Sequence, residues 1–195
     1  MLSKRKRIPD TKEMLIKSSA YDALIEHGIC SLPVSMPQDQ TVIVFPMQCL
    51  KEPPINCDIY KYDGVLMRLG TDDNKHYVLM YDNQLPHRVQ NWVISKLLFY
   101  VKNGIADQYP NAYINCDSLN DADSFASHFT CPDVILEACE IKSTEEIMDY
   151  CEIPFDAAFR KSKYLKTGYE KFVSTTLEKV ILNNFKSFLD WFHKR

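Results

Sequence analysis

Residues 85–104 read LPHRVQNWVISKLLFYVKNG, and this stretch predicts the helix around which the chain folds. Leu85-Pro86 is a suitable entry, because proline fits the first turn of a helix and is poor beyond it. The apolar residues that cover most of its surface are Trp92, Val93, Ile94, Leu97, Leu98, Phe99, Tyr100 and Val101. A helix that is apolar nearly all round is buried, and Asn103-Gly104 is a favoured helix end. We therefore expect a buried helix over residues 86–102.

Short strands are predicted ahead of this helix. Cys57–Tyr62 and Val65–Leu69 flank Asp63-Gly64, which is a favoured two-residue hairpin turn. Lys75–Tyr81 forms the third strand, and Thr41–Phe45 is a further short strand between prolines. The expected fold class is α+β, with a small antiparallel sheet packed on a mainly helical body.

Further helices are predicted on both sides of this centre. The segments are 11–27, about Asp121–Phe129, a turn starting at Pro132, a helix after Ser143, a helix from Ile153-Pro154 to about Leu165, and a long last helix over about Tyr169–His193. Ser143 with Glu146 three residues later reads as a capping box. We expect a basic tail over residues 1–10, one domain over 11–165 and a C-terminal amphipathic helix within 166–195.

Composition limits the classes of function. With 195 residues and 46% hydrophobic residues, the chain has enough apolar side chains for a sizeable core. The net charge of −3 argues against a generic nucleic-acid binder. No apolar run approaches the roughly 18 residues that a membrane helix needs. Seven scattered cysteines without a CxxC pair indicate reduced thiols in a cytoplasmic protein.

Several segments together resemble the ImmA/IrrE-type metallopeptidases. Tyr77–Tyr81 followed by Leu85-Pro86-His87-Arg88 is similar to the family's strand and helix entry. Asp121–Ala126 with the later Cys131-Pro132 is similar to its acidic-Ala-Asn-x-Phe-Ala helix. Ile141–Leu165 looks like its C-terminal helix pair. The resemblance covers roughly residues 13–165 and implies a zincin-like body.

The metal motif of that family is absent. An HExxH helix places two imidazoles one turn apart on one zinc ion, and the glutamate takes a proton from the bound water. When Arg88 is aligned with the family's arginine, these positions hold Ser95, Lys96 and Phe99. The family's third ligand is a carboxylate, and the nearest acids are Asp121 and Asp123. An acid in a first helical turn is also favoured by the helix dipole, so it is not a metal signal by itself.

The resemblance therefore implies a degenerate pseudo-peptidase without a cofactor. Peptidases of this family often act on repressors or other regulators encoded near them, frequently on mobile elements. A degenerate member is expected to bind an unknown regulatory protein without cutting it. Its groove would lie between the 86–102 helix and the 57–81 sheet, lined in part by Ser95, Lys96 and Phe99, with Arg88 as a further contact.

Two other functions stay open. A relocated metal site would use His87, His128 and Cys131 with a nearby aspartate and would keep hydrolysis. A DNA-binding regulator would use the helix pair 143–165, whose second helix carries Arg160, Lys161 and Lys163. In that helix pair the first residues of the second helix are Phe155, Asp156, Ala157 and Ala158, which favours packing over base reading.

The last helix is the richest in aromatic residues. Trp191 falls outside its main apolar stripe, so it is a candidate for a partner surface or for a homodimer formed through this helix. Docking on the rest of the chain is the simpler interpretation of that helix.

Overall fold

The computed structural model describes residues 11–37, 41–50, 58–110, 112–116, 120–167 and 176–195. The helices of this part are α1 (Thr11–Glu26), α2 (His87–Lys102), α3 (Asn120–Thr130), α4 (Asp133–Ala138), α5 (Thr144–Cys151), α6 (Phe155–Lys166), α7 (Thr176–Asn184) and α8 (Lys186–Phe192). The strands are β1 (Val42–Pro46), β2 (Gly64–Thr71), β3 (Asn74–Tyr81) and β4 (Tyr113–Asn115). The α+β class is confirmed. The predicted basic tail over residues 1–10 lies outside the described residues.

Two compact units make up the chain. One contains the residues before Met36 and those from Ser127 onward, and the other is Met36–Ala126. The division falls inside α3. The second unit holds the sheet, α2 and the first part of α3, and the first unit holds the end of α3 and the other α-helices.

The sheet is mixed, so the expectation of an antiparallel sheet is wrong in part. Its strand order is β1-β3-β2-β4, and β2 pairs antiparallel with both β3 and β4. β1 runs parallel to β3, with Val42 opposite Tyr77. Local hydrophobic patterns identify strands but carry no information on their direction. A buried apolar cluster within this unit consists of Met47, Ile59, Val65, Val78 and Met80.

The predicted hairpin around Asp63-Gly64 is also wrong. Ile59–Lys61 form a 3₁₀ turn instead of a strand, Gly64 opens β2, and the hairpin turn lies between β2 and β3. Gly64 is required by packing, because a Cβ atom there would come within 2.3 Å of Val93 Cγ1 on α2. The glycine lets the helix cross the sheet at close range, which a turn-based interpretation does not detect.

In the helical unit, the start of α5 follows a local capping rule. The capping box at Ser143 is confirmed, since the Ser143 hydroxyl accepts from the Glu146 amide and the Glu146 carboxylate accepts from the Ser143 amide. The prediction of a single long last helix is wrong over the described part of that segment, because the structure has two helices there, α7 and α8, separated at Phe185. Asn183-Asn184 precede this break, and asparagine has low helix propensity. Residues 168–175, where that helix was expected to begin, lie outside the described residues.

No helix in the described part of the chain has the length and the apolar character needed to cross a membrane.

Candidate functional site

Ser95 lies on the buried side of α2. Its side chain is fully buried, and its hydroxyl donates to the Asn91 carbonyl oxygen at 2.8 Å. The same hydroxyl lies 3.6 Å from the Met36 sulfur. A serine hydroxyl bonded to the carbonyl four residues earlier is satisfied within its own helix. Ser95 therefore packs in the core and does not line an open groove.

Phe99 is also buried, one turn after Ser95. Its ring contacts Phe125 of α3 edge to face, with centroids 5.8 Å apart, and Tyr100 at 5.5 Å. Only 4% of Phe99 is exposed. Aromatic packing of this kind fills the space beside the helix with apolar atoms. A partner protein that stays outside the core cannot contact this ring.

Lys96 and Asp123 form the polar part of the predicted site. The Lys96 ammonium lies 3.6 Å from Asp123 Oδ1, and the Trp92 indole N–H donates to the same oxygen at 3.1 Å. The Lys96 side chain is 13% exposed and that of Asp123 is 41% exposed. Asp121, the other candidate acid, is half-buried in the first turn of α3. Of the two candidate acids, Asp123 is thus the one for which the structure shows an ion pair with Lys96.

His87 and Arg88 occupy the first turn of α2. His87 is exposed, and its Nδ1 lies 3.5 Å from the Asn91 side-chain nitrogen. Arg88 is half-buried. Both precede Ser95 by about two helical turns.

The alternative metal site gains no support from the described residues. His87 belongs to a different unit from His128 and Cys131. His128 is buried, with Nε2 2.9 Å from Glu13 Oε1 and Nδ1 3.5 Å from Asp133 Oδ2. Within the described ranges, no group of three or more His, Cys, Asp or Glu side chains is arranged to hold a metal ion.

His128 instead belongs to a buried ionic network in the helical unit, which the sequence analysis missed. The members of this network are Glu13 and Lys17 of α1, His128 at the end of α3, Asp133 of α4, Lys161 of α6 and Glu178 of α7. Asp133 is its centre. Lys161 is paired with Asp133 Oδ1, and Lys17 lies 3.1 Å from Oδ2. Lys17 also bonds Glu178 at 2.9 Å.

The charges of this network shift the pKa values of two of its members, Asp133 and Lys17. Burial raises the pKa of Asp133, but Lys161, His128 and Lys17 together hold that pKa well below its usual range. Burial lowers the pKa of Lys17, yet Asp133 and Glu178 raise it above the ordinary value. Burial beside Asp133 also raises the pKa of Tyr21 well above its usual value. The shifts in pKa therefore favour the charged forms of Asp133 and Lys17, and the network connects several helices of one unit.

The buried position of Lys161 weakens the case for the DNA-binding alternative. Lys161 was grouped with Arg160 and Lys163 as a basic residue of a recognition helix, but it is 2% exposed and its ammonium lies against Asp133 and the Ser127 carbonyl. Arg160 and Lys163 are exposed. At the start of α6, Ala157 and Ala158 are buried, so two of the four positions expected to face bases do not reach solvent. The one local signal for this is helical spacing, which places Lys161 four residues after Ala157 and three after Ala158, on the same side of α6.

Trp191 is partly exposed on α8. It is 47% exposed, and the Arg195 guanidinium lies 4.0 Å from its ring centroid. Its ring also contacts Phe188, which is buried. Trp191 is thus available on the surface of the helical unit.

Comparison with known proteins adds no assignment to this geometry: no protein-family model and no curated protein matches the chain.

Proposed function

We propose that this chain is a non-catalytic protein with a zincin-like, metallopeptidase-like body, and that it acts by binding another protein. The observation that carries the proposal is the Lys96–Asp123 pair. The resemblance puts a metal ion and its water-activating glutamate at this place, whereas this chain has an ammonium in an ion pair with the carboxylate of Asp123 there.

The charge of Lys96 opposes metal binding at this position. Two unit charges 4 Å apart repel by about 4 kcal/mol at an effective dielectric of 20, and a divalent ion doubles that energy. Asp123 already accepts a hydrogen bond from the Trp92 indole and forms an ion pair with Lys96, so an incoming ion would have to displace both groups. Ser95 and Phe99 offer no replacement ligand, because zinc takes thiolate, imidazole or carboxylate groups.

Burial changes where a partner would bind. Ser95 and Phe99 are inside the core, so of the predicted groove residues only Lys96, Asp121 and Asp123 keep exposed atoms for contact. By resemblance, the partner is a regulatory protein in the cytoplasm, and the chain holds it without cleaving a peptide bond.

The first test measures metal content and cleavage together. Protein purified without chelator is analysed for bound zinc, manganese and iron, and is incubated with unfolded casein. We expect less than 0.1 metal ion per chain, on the order expected for adventitious binding, and no cleavage. Stoichiometric metal, or casein cleavage that follows the protein through purification, would overturn the proposal.

A second test asks whether α2 has the geometry of a metallopeptidase helix. The variant Ser95→His/Lys96→Glu/Phe99→His restores the motif opposite Asp123. We expect it to bind zinc at least about tenfold more tightly than the control Asp22→His/Glu26→His, because Asp123 adds a third ligand to the paired imidazoles. The control places two histidines at the same spacing on the exposed side of α1.

Calorimetry with zinc alone gives the affinities. If the restored variant is unfolded without metal, refolding on zinc addition reports the same coupling by circular dichroism. Equal zinc affinity in the two variants would remove the support for a zincin-like body.

A further inference from the structure

An aromatic pair is exposed on the side of α6 that faces solvent. Phe155 is 56% exposed and Phe159 is 42% exposed. Their rings are nearly parallel, with an interplanar angle of 10° and centroids 6.1 Å apart. Ala157 and Ala158 of the same helix are buried, with Ala157 on the side opposite the two rings. Since α6 already packs through that side, the two phenylalanines contribute little to its folding.

Basic side chains surround this pair. Arg160, Lys163 and Lys166 are exposed, and the Lys163 ammonium lies 4.2 Å from the centroid of the Phe159 ring. We define the α6 outer face as Phe155, Asp156, Phe159, Arg160, Lys163 and Lys166. With three cations and one carboxylate, this face is positive although the whole chain carries −3.

We propose that the α6 outer face is a docking surface for an acidic amphipathic segment of a partner protein. This inference rests on the proposed binding function and names the chemistry of the partner. Apolar side chains of the segment cover the two rings, and its carboxylates pair with Arg160, Lys163 and Lys166. Aromatic residues and arginine are the residue types that most often anchor protein interfaces.

The ring geometry favours a protein over a nucleic acid. Base stacking needs an open aromatic face, but Phe159 is stacked beside Phe155 and has the Lys163 ammonium over its ring. The exposed Asp156 follows Phe155 directly in the sequence, and its carboxylate would repel phosphate. An aliphatic or aromatic side chain that covers the edges of both rings meets neither obstacle.

The probe is a fluorescein-labelled amphipathic peptide with leucines on one helical face and glutamates on the other. A matched peptide has glutamine in place of each glutamate, and single-stranded oligothymidine is measured in the same anisotropy assay. We expect the acidic peptide to bind at least about tenfold more tightly than the glutamine peptide at low salt. This preference should shrink at high salt, because exposed charges are screened.

Variants locate the binding to this face. We expect Phe155→Ala/Phe159→Ala to weaken binding of the acidic peptide at least tenfold, and Arg160→Glu/Lys163→Glu to abolish the preference for it. Trp191→Ala removes an exposed aromatic residue from α8 and is expected to leave binding unchanged. The substituted side chains are exposed, and circular dichroism checks that each variant is folded.

Two outcomes would overturn the inference: no preference between the acidic and glutamine peptides, or oligothymidine binding that is lost in the same variants. Its failure is distinct from that of the proposed function. A chain that holds metal and cleaves casein overturns the function whatever the peptides do, whereas an inert chain without peptide preference overturns the α6 docking surface alone.

Discussion

Two lysine–aspartate pairs, one in each unit, differ mainly in their burial. The side chains of Lys161 and Asp133 are 1% and 7% exposed, whereas those of Lys96 and Asp123 are 13% and 41% exposed. Removing one partner of a buried pair leaves an uncompensated charge away from water, and this is strongly destabilising. An ion pair that water reaches contributes little to stability. The comparison teaches that burial decides how much a pair contributes to stability, and that the pair in the helical unit should contribute far more than the pair on α2.

The largest expected effect comes from Lys161→Met, which leaves Asp133 buried without its closest cation. We expect a loss of about 3–5 kcal/mol in the free energy of unfolding, measured by urea denaturation. The double variant Lys161→Met/Asp133→Leu is the control, and it should recover part of this loss because both charges are then absent. A single variant as stable as the wild type would show that the pair is not desolvated.

The next expected effect is the acid sensitivity of Asp133. Its pKa is raised by burial but lowered further by Lys161, His128 and Lys17, so the net shift is downward. A carboxylate with a depressed folded-state pKa stabilises the protein above its unfolded pKa of about 3.9 and loses this contribution as the pH falls through the folded value.

Urea unfolding at pH 7, 5, 4 and 3 should therefore show a steeper loss of stability below about pH 4 in the wild type than in Asp133→Asn. Glu145→Gln, which changes an exposed carboxylate, is the control and should keep the wild-type slope. The same slope in Asp133→Asn would contradict the assignment.

A smaller expected effect is the cost of a methyl group at Gly64. Its Cβ would lie 2.3 Å from Val93 Cγ1, so Gly64→Ala should destabilise the chain by about 1–3 kcal/mol through overpacking. Adding Val93→Ala should recover part of the loss. Gly104→Ala is the control: Gly104 has a φ of +66° and open space around it, so its cost is backbone strain that Val93→Ala cannot relieve. If Val93→Ala recovers none of the stability lost in Gly64→Ala, the contact between position 64 and Val93 is not the cause of the loss.

The smallest expected effect is that of Lys96→Met. Because the Lys96–Asp123 pair is partly exposed, we expect a change of about 1 kcal/mol or less in thermal or urea unfolding. Lys96→Arg, which keeps the charge, should behave like the wild type. A loss as large as that of Lys161→Met would remove the contrast between the two pairs.

Local rules predicted much of the helical fold. The proline at position 86 and the Asn103-Gly104 pair predicted the start and the end of α2 close to its observed bounds, His87–Lys102. The capping box predicted at Ser143 is also present. What could not be predicted depends on long-range contacts. The parallel pairing of β1 with β3 is one such case, and the placement of Gly64 under Val93 is another.

The candidate site shows the same limit. The apolar character of α2 predicted that Ser95 and Phe99 are buried, whereas the predicted binding groove required both at the surface. In the structure both residues are buried. The DNA-binding alternative groups Lys161 with Arg160 and Lys163 as basic residues of a recognition helix, whereas in the structure Lys161 is buried. Helical spacing from Ala157 and Ala158 places Lys161 on the inner side of α6, but its partner Asp133 lies in another helix, and no spacing rule identifies that partner.

The register of the sheet has a kinetic consequence. β2 and β3 are joined by a tight turn in which Thr71 pairs with Asn74, whereas Val42 reaches Tyr77 only after a long stretch of chain. Closing the short loop costs less entropy. We therefore expect the β2–β3 hairpin to be the first part of the sheet to gain protection in pulsed hydrogen exchange during refolding, with β1 joining it later.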